Sequence, residues 1–332
     1  MIEHSVKVSS GQLAYWFIVS QGRLFLTTDG TVPFAELAAL PLQLADAMIC
    51  KLGEYQLQPC YLVVYDDRPA NEADWHSARA LLEQGEALFQ LAARATQVAL
   101  FLQTHRFCGQ CGSAMRLVNW ELATLCHRCG HRCYPRIAPC VLVAVVKDEQ
   151  ILLARSTRHK AGFFSVLAGF VESAETLEQA AVREVKEEVG VDITNLHYVG
   201  SQPWPFPHSL MTGFLADYAG GEIQCQPEEI AEAYWCPLDQ LPETPGLQTL
   251  SGQLIALAQV GVRFAQSRHM QPRTEGFGGP KVLDEPHDAA DQGRHSPRPG
   301  HVQGLQARTP QQQQADAGPT DQQGHRVGLR RR

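Results

Sequence analysis

Residues 169 to 191, GFVESAETLEQAAVREVKEEVGV, concentrate carboxylates at a spacing that could hold a metal ion. Glu184, Glu187 and Glu188 stand at i, i+3 and i+4, so on a helix their side chains crowd together. Like charges so placed destabilise a bare helix. A hard divalent cation, Mg²⁺ or Mn²⁺, takes oxygen ligands and substrate phosphates and would offset that repulsion. Arg183 would hold the cluster, or an anionic partner, in register. The competing reading is a solvated acidic helix face, the usual fate of a glutamate run.

A second chemistry comes from four of the ten cysteines. Cys108 and Cys111, then Cys126 and Cys129, form two CxxC pairs separated by fourteen residues, each ending in glycine. Two such knuckles place four thiolates around Zn²⁺ with no open position, so one zinc per subunit would be structural. Cys133 could replace one ligand, but its less regular spacing favours a free thiol. A ribbon of this kind can touch nucleic acid or act only as a staple for the fold.

These groups need elements to position them. Thr176 to Val189 has no glycine or proline and is rich in Ala, Leu, Glu, Lys and Arg, which predicts a helix stopped by Gly190. Leu177, Ala181, Val185 and Val189 would form its buried stripe. Upstream, Val141 to Val146 and Ile151 to Ala154 read as strands joined by a turn at Asp148 and Glu149, and Gly169 would allow close backbone approach to metal or phosphate. Downstream, Gln202 to Ser209 reads as a proline-stiffened loop whose Trp204 and Phe206 could stack on a planar base, or simply pack in the core. Among Glu228, Glu229 and Glu232, one could complete the metal shell or act as a base.

Residues 1 to 68 read as short strands with turns at Gln21-Gly22 and Asp29-Gly30, a folding or dimerisation module without visible chemistry. From Asn71 to about Gln103 the apolar spacing turns helical, with Arg79 an ordinary solvated arginine on the first helix. A last helix is expected from about Gly246 to Ser267. Beyond His269, glycine, proline and glutamine dominate and predict a disordered tail.

The 332 residues suffice for two or three domains. A formal charge of −7 argues against non-specific nucleic-acid binding by bulk electrostatics. No apolar run predicts a membrane span or signal peptide, which makes the cytoplasm the expected location.

The glutamate-rich stretch matches G-x5-E-x7-R-E-U-x-E-E-x-G-U, U being aliphatic, through Gly169, Glu175, Arg183, Glu184, Val185, Glu187, Glu188, Gly190 and Val191. It resembles the Nudix box, the signature of hydrolases that split a nucleoside diphosphate linked to another moiety. With the cysteine pairs and SQPWPFPHSLM downstream, the chain resembles the bacterial NADH pyrophosphatases that also act as NAD-capped RNA hydrolases.

That resemblance implies an α+β protein. A Nudix α/β/α sandwich with a mixed sheet (135–268) would follow an N-terminal α+β domain (1–104) and a zinc ribbon (105–134), with the tail at 269–332. It implies catalytic Mg²⁺ or Mn²⁺ on Glu184, Glu188, Glu229 and the Ala168 carbonyl, with Glu187 in the catalytic cluster. Substrate contacts carry over to Arg79, Glu121, Tyr134 and Ser251, and to the run Gln202, Pro203, Trp204, Pro205, Phe206, Pro207, His208 and Ser209. It also implies a homodimer whose partner subunit contributes to each pocket. The implied substrates are NAD(H) and 5′-NAD-capped RNA. Two rival readings are a Nudix enzyme acting on ADP-ribose or a dinucleoside polyphosphate, and a zinc-ribbon RNA-binding protein with an inactive Nudix domain.

Overall fold

The computed structural model describes residues 3–4, 6–9, 11–42, 44, 47–65 and 72–261. The tail, and any part of the last helix after residue 261, lie outside the described residues.

The chain opens with seven strands, β1 (Glu3–His4), β2 (Leu13–Ser20), β3 (Arg23–Phe25), β4 (Phe34–Glu36), β5 (Met48–Tyr55), β6 (Gln58–Val64) and β7 (Trp75–His76), followed by helix α1 (Glu86–Thr104). They form one sheet in the order β1-β5-β6-β2-β3-β7, with β4 also on β2. The helix expected from residue 71 is confined to 86–104. Trp75 pairs with Phe25 in the sheet. Ala78–Gln84 forms a 3₁₀ helix capped by Ser77, and Gly85, at φ +115°, separates that turn from α1. The apolar face of α1 covers the sheet through Leu88, Ala92, Ala95 and Val98.

Three short strands make the ribbon, β8 (Met115–Leu117), β9 (Thr124–Cys126) and β10 (Arg132–Cys133), paired β10-β9-β8. The third unit contains β11 (Ala138–Lys147), β12 (Gln150–Ser156), β13 (Leu167–Phe170), helix α2 (Leu177–Val189), β14 (Asp192–Trp204), β15 (Ser209–Gly220), β16 (Ile230–Pro237) and helix α3 (Leu250–Gln259). Its sheet runs β14-β15-β11-β12-β16, with β13 on β11. β11 and β15 are parallel and the remaining pairs antiparallel, so the sheet is mixed. Residues alternate along β11. Val141, Val143 and Val145 pack towards Ala181, Val185 and Val189 of α2, and Leu142 and Ala144 pack towards Leu254 and Ile255 of α3. One sheet between two helices is the expected α/β/α sandwich.

The N-terminal sheet repeats this plan. β5-β6-β2-β3-β7 matches β14-β15-β11-β12-β16 strand for strand, including the parallel pair β2/β6 and the extra strand β4 on β2. α1 follows β7 as α3 follows β16. Where the second copy carries α2, the first has one 3₁₀ turn, Leu37–Ala39. Among the described residues, only the second copy therefore has a helix to carry the glutamates.

Candidate active site

Helix α2 is fixed at both ends. The Thr176 hydroxyl accepts from the Gln179 N–H at 3.2 Å and the Gln179 side-chain Oε1 accepts from the Thr176 N–H at 2.9 Å, a reciprocal cap. Gly190 closes the helix at φ +74°, and a Cβ there would stand 2.9 Å from the Glu222 carbonyl oxygen. Ala181, Val185 and Val189 are fully buried, and Leu177 is partly so.

Arg183 organises the carboxylates. Its Nε and Nη2 grip Glu175 at 2.7 and 2.8 Å, while Nη1 reaches Glu184 at 2.9 Å and Glu187 at 3.0 Å. Nη2 also donates to the Phe170 carbonyl at 2.9 Å, tying α2 to the end of β13. The Arg183 guanidinium, then the Glu172 N–H, hold the Glu175 carboxyl down at about 2. Glu175 and Arg183 thus form a brace, leaving Glu184 and Glu188 facing the sheet.

A Cβ on Gly169 would overlap the Glu184 carboxylate. The glycine therefore makes room for a side chain, where proximity to metal or phosphate was expected. Gly169→Ala should displace Glu184 by about 1 Å and lower kcat/KM for the hydrolysis about a hundredfold, measured at saturating Mg²⁺ with the fold checked by circular dichroism.

Glu188 is 4% exposed. Burial, then the charges of Glu184 and Glu229, push its carboxyl up to about 8, against the lowering effect of the Ala168 N–H. Burial likewise raises Glu184. The Glu188 Oε2 atom is buried without a hydrogen-bond partner. An orphaned carboxylate oxygen among two further carboxylates suits a hard divalent cation. Glu229 reaches this place from another element. The Gln226 N–H donates to the Glu188 carbonyl at 2.8 Å, and the Thr157 N–H donates to the Glu229 carbonyl at 2.9 Å, tying the loop before β16 to both α2 and β12.

A cavity of about 640 Å³ opens beside these groups. It brings together Arg79, Ala168, Glu188, Gln202, Trp204, Glu229 and Ser251. Glu184 and Glu187 are not among its lining residues; both accept from Arg183 Nη1. Gln202, Pro203 and Trp204 belong to β14, so the expected loop is a strand end and a turn. Gln202 bonds the Gln248 carbonyl and the Leu250 N–H, both at 2.9 Å, and so anchors the start of α3. Pro205 and Ser209 are buried, and Pro207 and His208 line a separate cavity of about 420 Å³ beside the end of α1. Glu121 and Tyr134 lie on the ribbon outside the main cavity, bonded to each other at 3.2 Å.

Arg79 is exposed, as expected, but its guanidinium also packs on aromatic rings at the cavity. Its guanidinium carbon lies 4.5 Å from the Phe206 ring centroid and 5.2 Å from that of Trp204. Phe206 presents its face to Arg79, and Trp204 lines the cavity. Arg79→Ala should raise KM for NADH, the substrate the resemblance implies, about tenfold with kcat little changed, and Phe206→Ala should do so more weakly, both read from initial rates. An unchanged KM in both would remove the aromatic turn from substrate binding.

Arg158, His159 and Phe163 also line the cavity, from the segment between β12 and β13. They belong to no periodic pattern or motif, and nothing in their spacing distinguishes them from a solvated loop.

On the ribbon the four Sγ atoms of Cys108, Cys111, Cys126 and Cys129 lie within 4.8 Å of one another, the only such group among the described residues. The two knuckles are alike. In the first, the Cys108 N–H bonds Ser113 O and the Gly112 N–H bonds Cys108 O, both at 2.8 Å. In the second, the Cys126 N–H bonds His131 O at 2.8 Å and the Gly130 N–H bonds Cys126 O at 2.9 Å. Four convergent thiolates fit a structural zinc. Cys133 stays outside, 3.2 Å from His131 Nε2.

Three family models match consecutive parts of the chain. They are an NADH pyrophosphatase-like rudimentary NUDIX domain (13–99), an NADH pyrophosphatase zinc ribbon domain (103–134) and a NUDIX domain (136–257). The chain is 48% identical over 240 residues to the NAD-capped RNA hydrolase NudC of Pectobacterium carotovorum subsp. carotovorum (strain PC1), covering 72% of this chain and 90% of that protein. It is 45% identical over 240 residues to the protein of the same name from Escherichia coli O1:K1 / APEC, covering 72% and 91%. A MutT NUDIX hydrolase structure from Burkholderia pseudomallei is similar at 25% identity, covering 38% of this chain and 98% of that one, with a TM-score of 0.32. With a rudimentary Nudix copy, a four-cysteine ribbon and an intact Nudix helix in that order, the chain belongs to the NADH pyrophosphatase family of Nudix hydrolases.

Proposed function

We propose that this protein hydrolyses the pyrophosphate of NAD(H) to nicotinamide mononucleotide and AMP, and removes the NAD cap from RNA to leave a 5′-monophosphate end. The observation that carries this reading is the meeting of Glu188 and Glu229 with Arg79 and Trp204 in one cavity, carboxylates for metal and phosphate beside an aromatic face for a base. The family and the NudC-named relatives support it.

In this reading Glu184, Glu188, Glu229 and the Ala168 carbonyl would hold Mg²⁺ or Mn²⁺, which when bound would supply charge neutralisation on the phosphates and water activation. Arg183 fixes Glu184 and Glu187 relative to each other. Glu187 positions the attacking water and takes its proton, and the leaving phosphate departs in line. Trp204 stacks on one base, and Arg79 holds that turn in place. Ser251, in the first turn of α3, lines the cavity and would offer its hydroxyl to the substrate. The domain boundaries are those drawn from the sequence, at residues 104, 134 and 268.

A homodimer is part of the proposal: Glu121 and Tyr134 lie outside their own chain's cavity, and in the dimer they would serve the second copy's pocket. The proposed setting is the cytoplasm, where four zinc-binding thiols stay reduced. No described helix is long and apolar enough to cross a membrane.

The test is a substrate panel at fixed Mg²⁺, comprising NADH, ADP-ribose and a dinucleoside polyphosphate, with products separated by chromatography. Nicotinamide mononucleotide and AMP from NADH, at the highest kcat/KM of the set, is the expected result. A higher kcat/KM on ADP-ribose or the polyphosphate would transfer the assignment to that substrate.

A further inference from the structure

The ribbon carries charge opposite to the rest of the chain. Residues 105–134 hold four arginines, at 106, 116, 128 and 132, against Glu121 alone, a formal +3 in a protein of −7. A zinc held by four thiolates subtracts two and leaves the module positive. All four arginines are exposed.

Strand register sorts these residues onto faces. Arg116 pairs with Leu125, and Leu125 pairs with Arg132, so the three stand in a row across β8, β9 and β10. Ala114, two residues before Arg116, pairs with Phe107, which puts Phe107 on the same face. Phe107 is 68% exposed. At the other end of the row, Arg132 Nη1 donates to the Tyr134 hydroxyl at 3.3 Å and to Glu121 at 3.0 Å. The alternating residues, Met115 with Cys126 and Leu117 with Thr124 and Cys133, lie on the other face, where Cys126 and Thr124 are buried. One face thus closes over the zinc. The other shows exposed aromatic rings at both ends of a row with two guanidinium groups.

From this arrangement we infer that the Phe107–Arg116–Arg132 face binds the single-stranded RNA that continues beyond the cap. Guanidinium groups meet phosphates, and exposed rings stack on bases without needing a sequence. Free NADH has no such continuation, so the face acts on capped RNA alone. The inference rests on the decapping reading above. It adds Phe107 and Arg116 as RNA contacts outside the catalytic cavity.

The experiment compares wild type with Arg116→Glu and Phe107→Ala, each checked for one bound zinc per chain and for sedimentation behaviour. Initial rates are measured on NADH and on a short 5′-NAD RNA, and binding of a fluorescent 5′-monophosphate RNA by anisotropy. Expected are a rise of about tenfold in KM for 5′-NAD RNA with NADH kinetics within about twofold of wild type, and weaker RNA binding whose log–log salt slope falls by about 0.7 per positive charge removed. Equal losses on both substrates, or undiminished RNA binding, would overturn the inference. A change in oligomeric state would also overturn it, assigning the face to a contact between copies. Should wild type leave the 5′-NAD RNA uncut, the decapping reading fails, and the anisotropy series by itself decides whether the face binds RNA.

Discussion

Glu188→Gln is expected to lower kcat for NADH hydrolysis by at least about a thousandfold, and to make the protein without added Mg²⁺ or Mn²⁺ more stable at alkaline pH. Both effects follow from one side chain. Glu188 is buried with an oxygen that no protein group satisfies, and burial beside Glu184 and Glu229 pushes its carboxyl up from 4.5 to about 8. A carboxyl raised by folding favours the native state in its neutral form. Its stability contribution is therefore full below pH 4.5 and is lost as pH rises towards 8. The loss approaches roughly 3–5 kcal/mol once the group ionises, and glutamine, which cannot ionise, avoids it. Saturating Mg²⁺ should restore the wild type, because the cation stabilises the ionised form, and should do nothing for the variant. Thermal unfolding from pH 5 to pH 9, with and without Mg²⁺, checks the prediction alongside the kinetics. A wild-type Tm indifferent to both pH and Mg²⁺ would contradict it.

Cys126→Ser is expected to cost the ribbon. Cys126 is 1% exposed, ends β9 and brings its sulfur to 3.5 Å from Cys111. Around it the ribbon buries Val118, Ala123 and Thr124 but few other side chains. A module with so small a core owes its folding to the metal, for which apparent free energies of about 10–16 kcal/mol are typical. Bound zinc should fall from one per chain to near zero, and the ribbon's amides should lose their protection from hydrogen exchange. Cleavage of 5′-NAD RNA should disappear with them. Cys133→Ser is the control. Its thiol lies outside the four-sulfur group, so zinc content and activity should stay at the wild-type level. Loss of zinc on Cys133→Ser would exchange it for one of the four assigned ligands.

What could be read from the chain alone depended on how local the information was. The apolar stripe and the stop at Gly190 lie within fifteen residues, and the helix they predict forms within one residue of its expected limits. The cysteine pairs are equally local. The repeated Nudix plan in the first hundred residues was not legible. It resides in pairings such as Tyr15 with Cys60, which no window of neighbouring residues contains. Trp75, Ala78 and Leu82 happen to fall at helical spacing, but strand pairing with Phe25 decides the structure of Trp75. Arg79 shows the same limit. Its stacking on Trp204 and Phe206 joins residues more than a hundred positions apart.

The central claim is that the Nudix glutamates cut the pyrophosphate of NAD(H), free or as an RNA cap. The most direct test is a side-by-side measurement of NADH and 5′-NAD RNA hydrolysis by wild type and Glu187→Gln, with Mg²⁺ and then with Mn²⁺. The account predicts that wild type releases nicotinamide mononucleotide from both substrates, and that the variant, deprived of its proton acceptor, releases it at least about a hundredfold more slowly from each. Wild-type rates retained by Glu187→Gln, or no cleavage of either substrate by wild type under both metals, would contradict it.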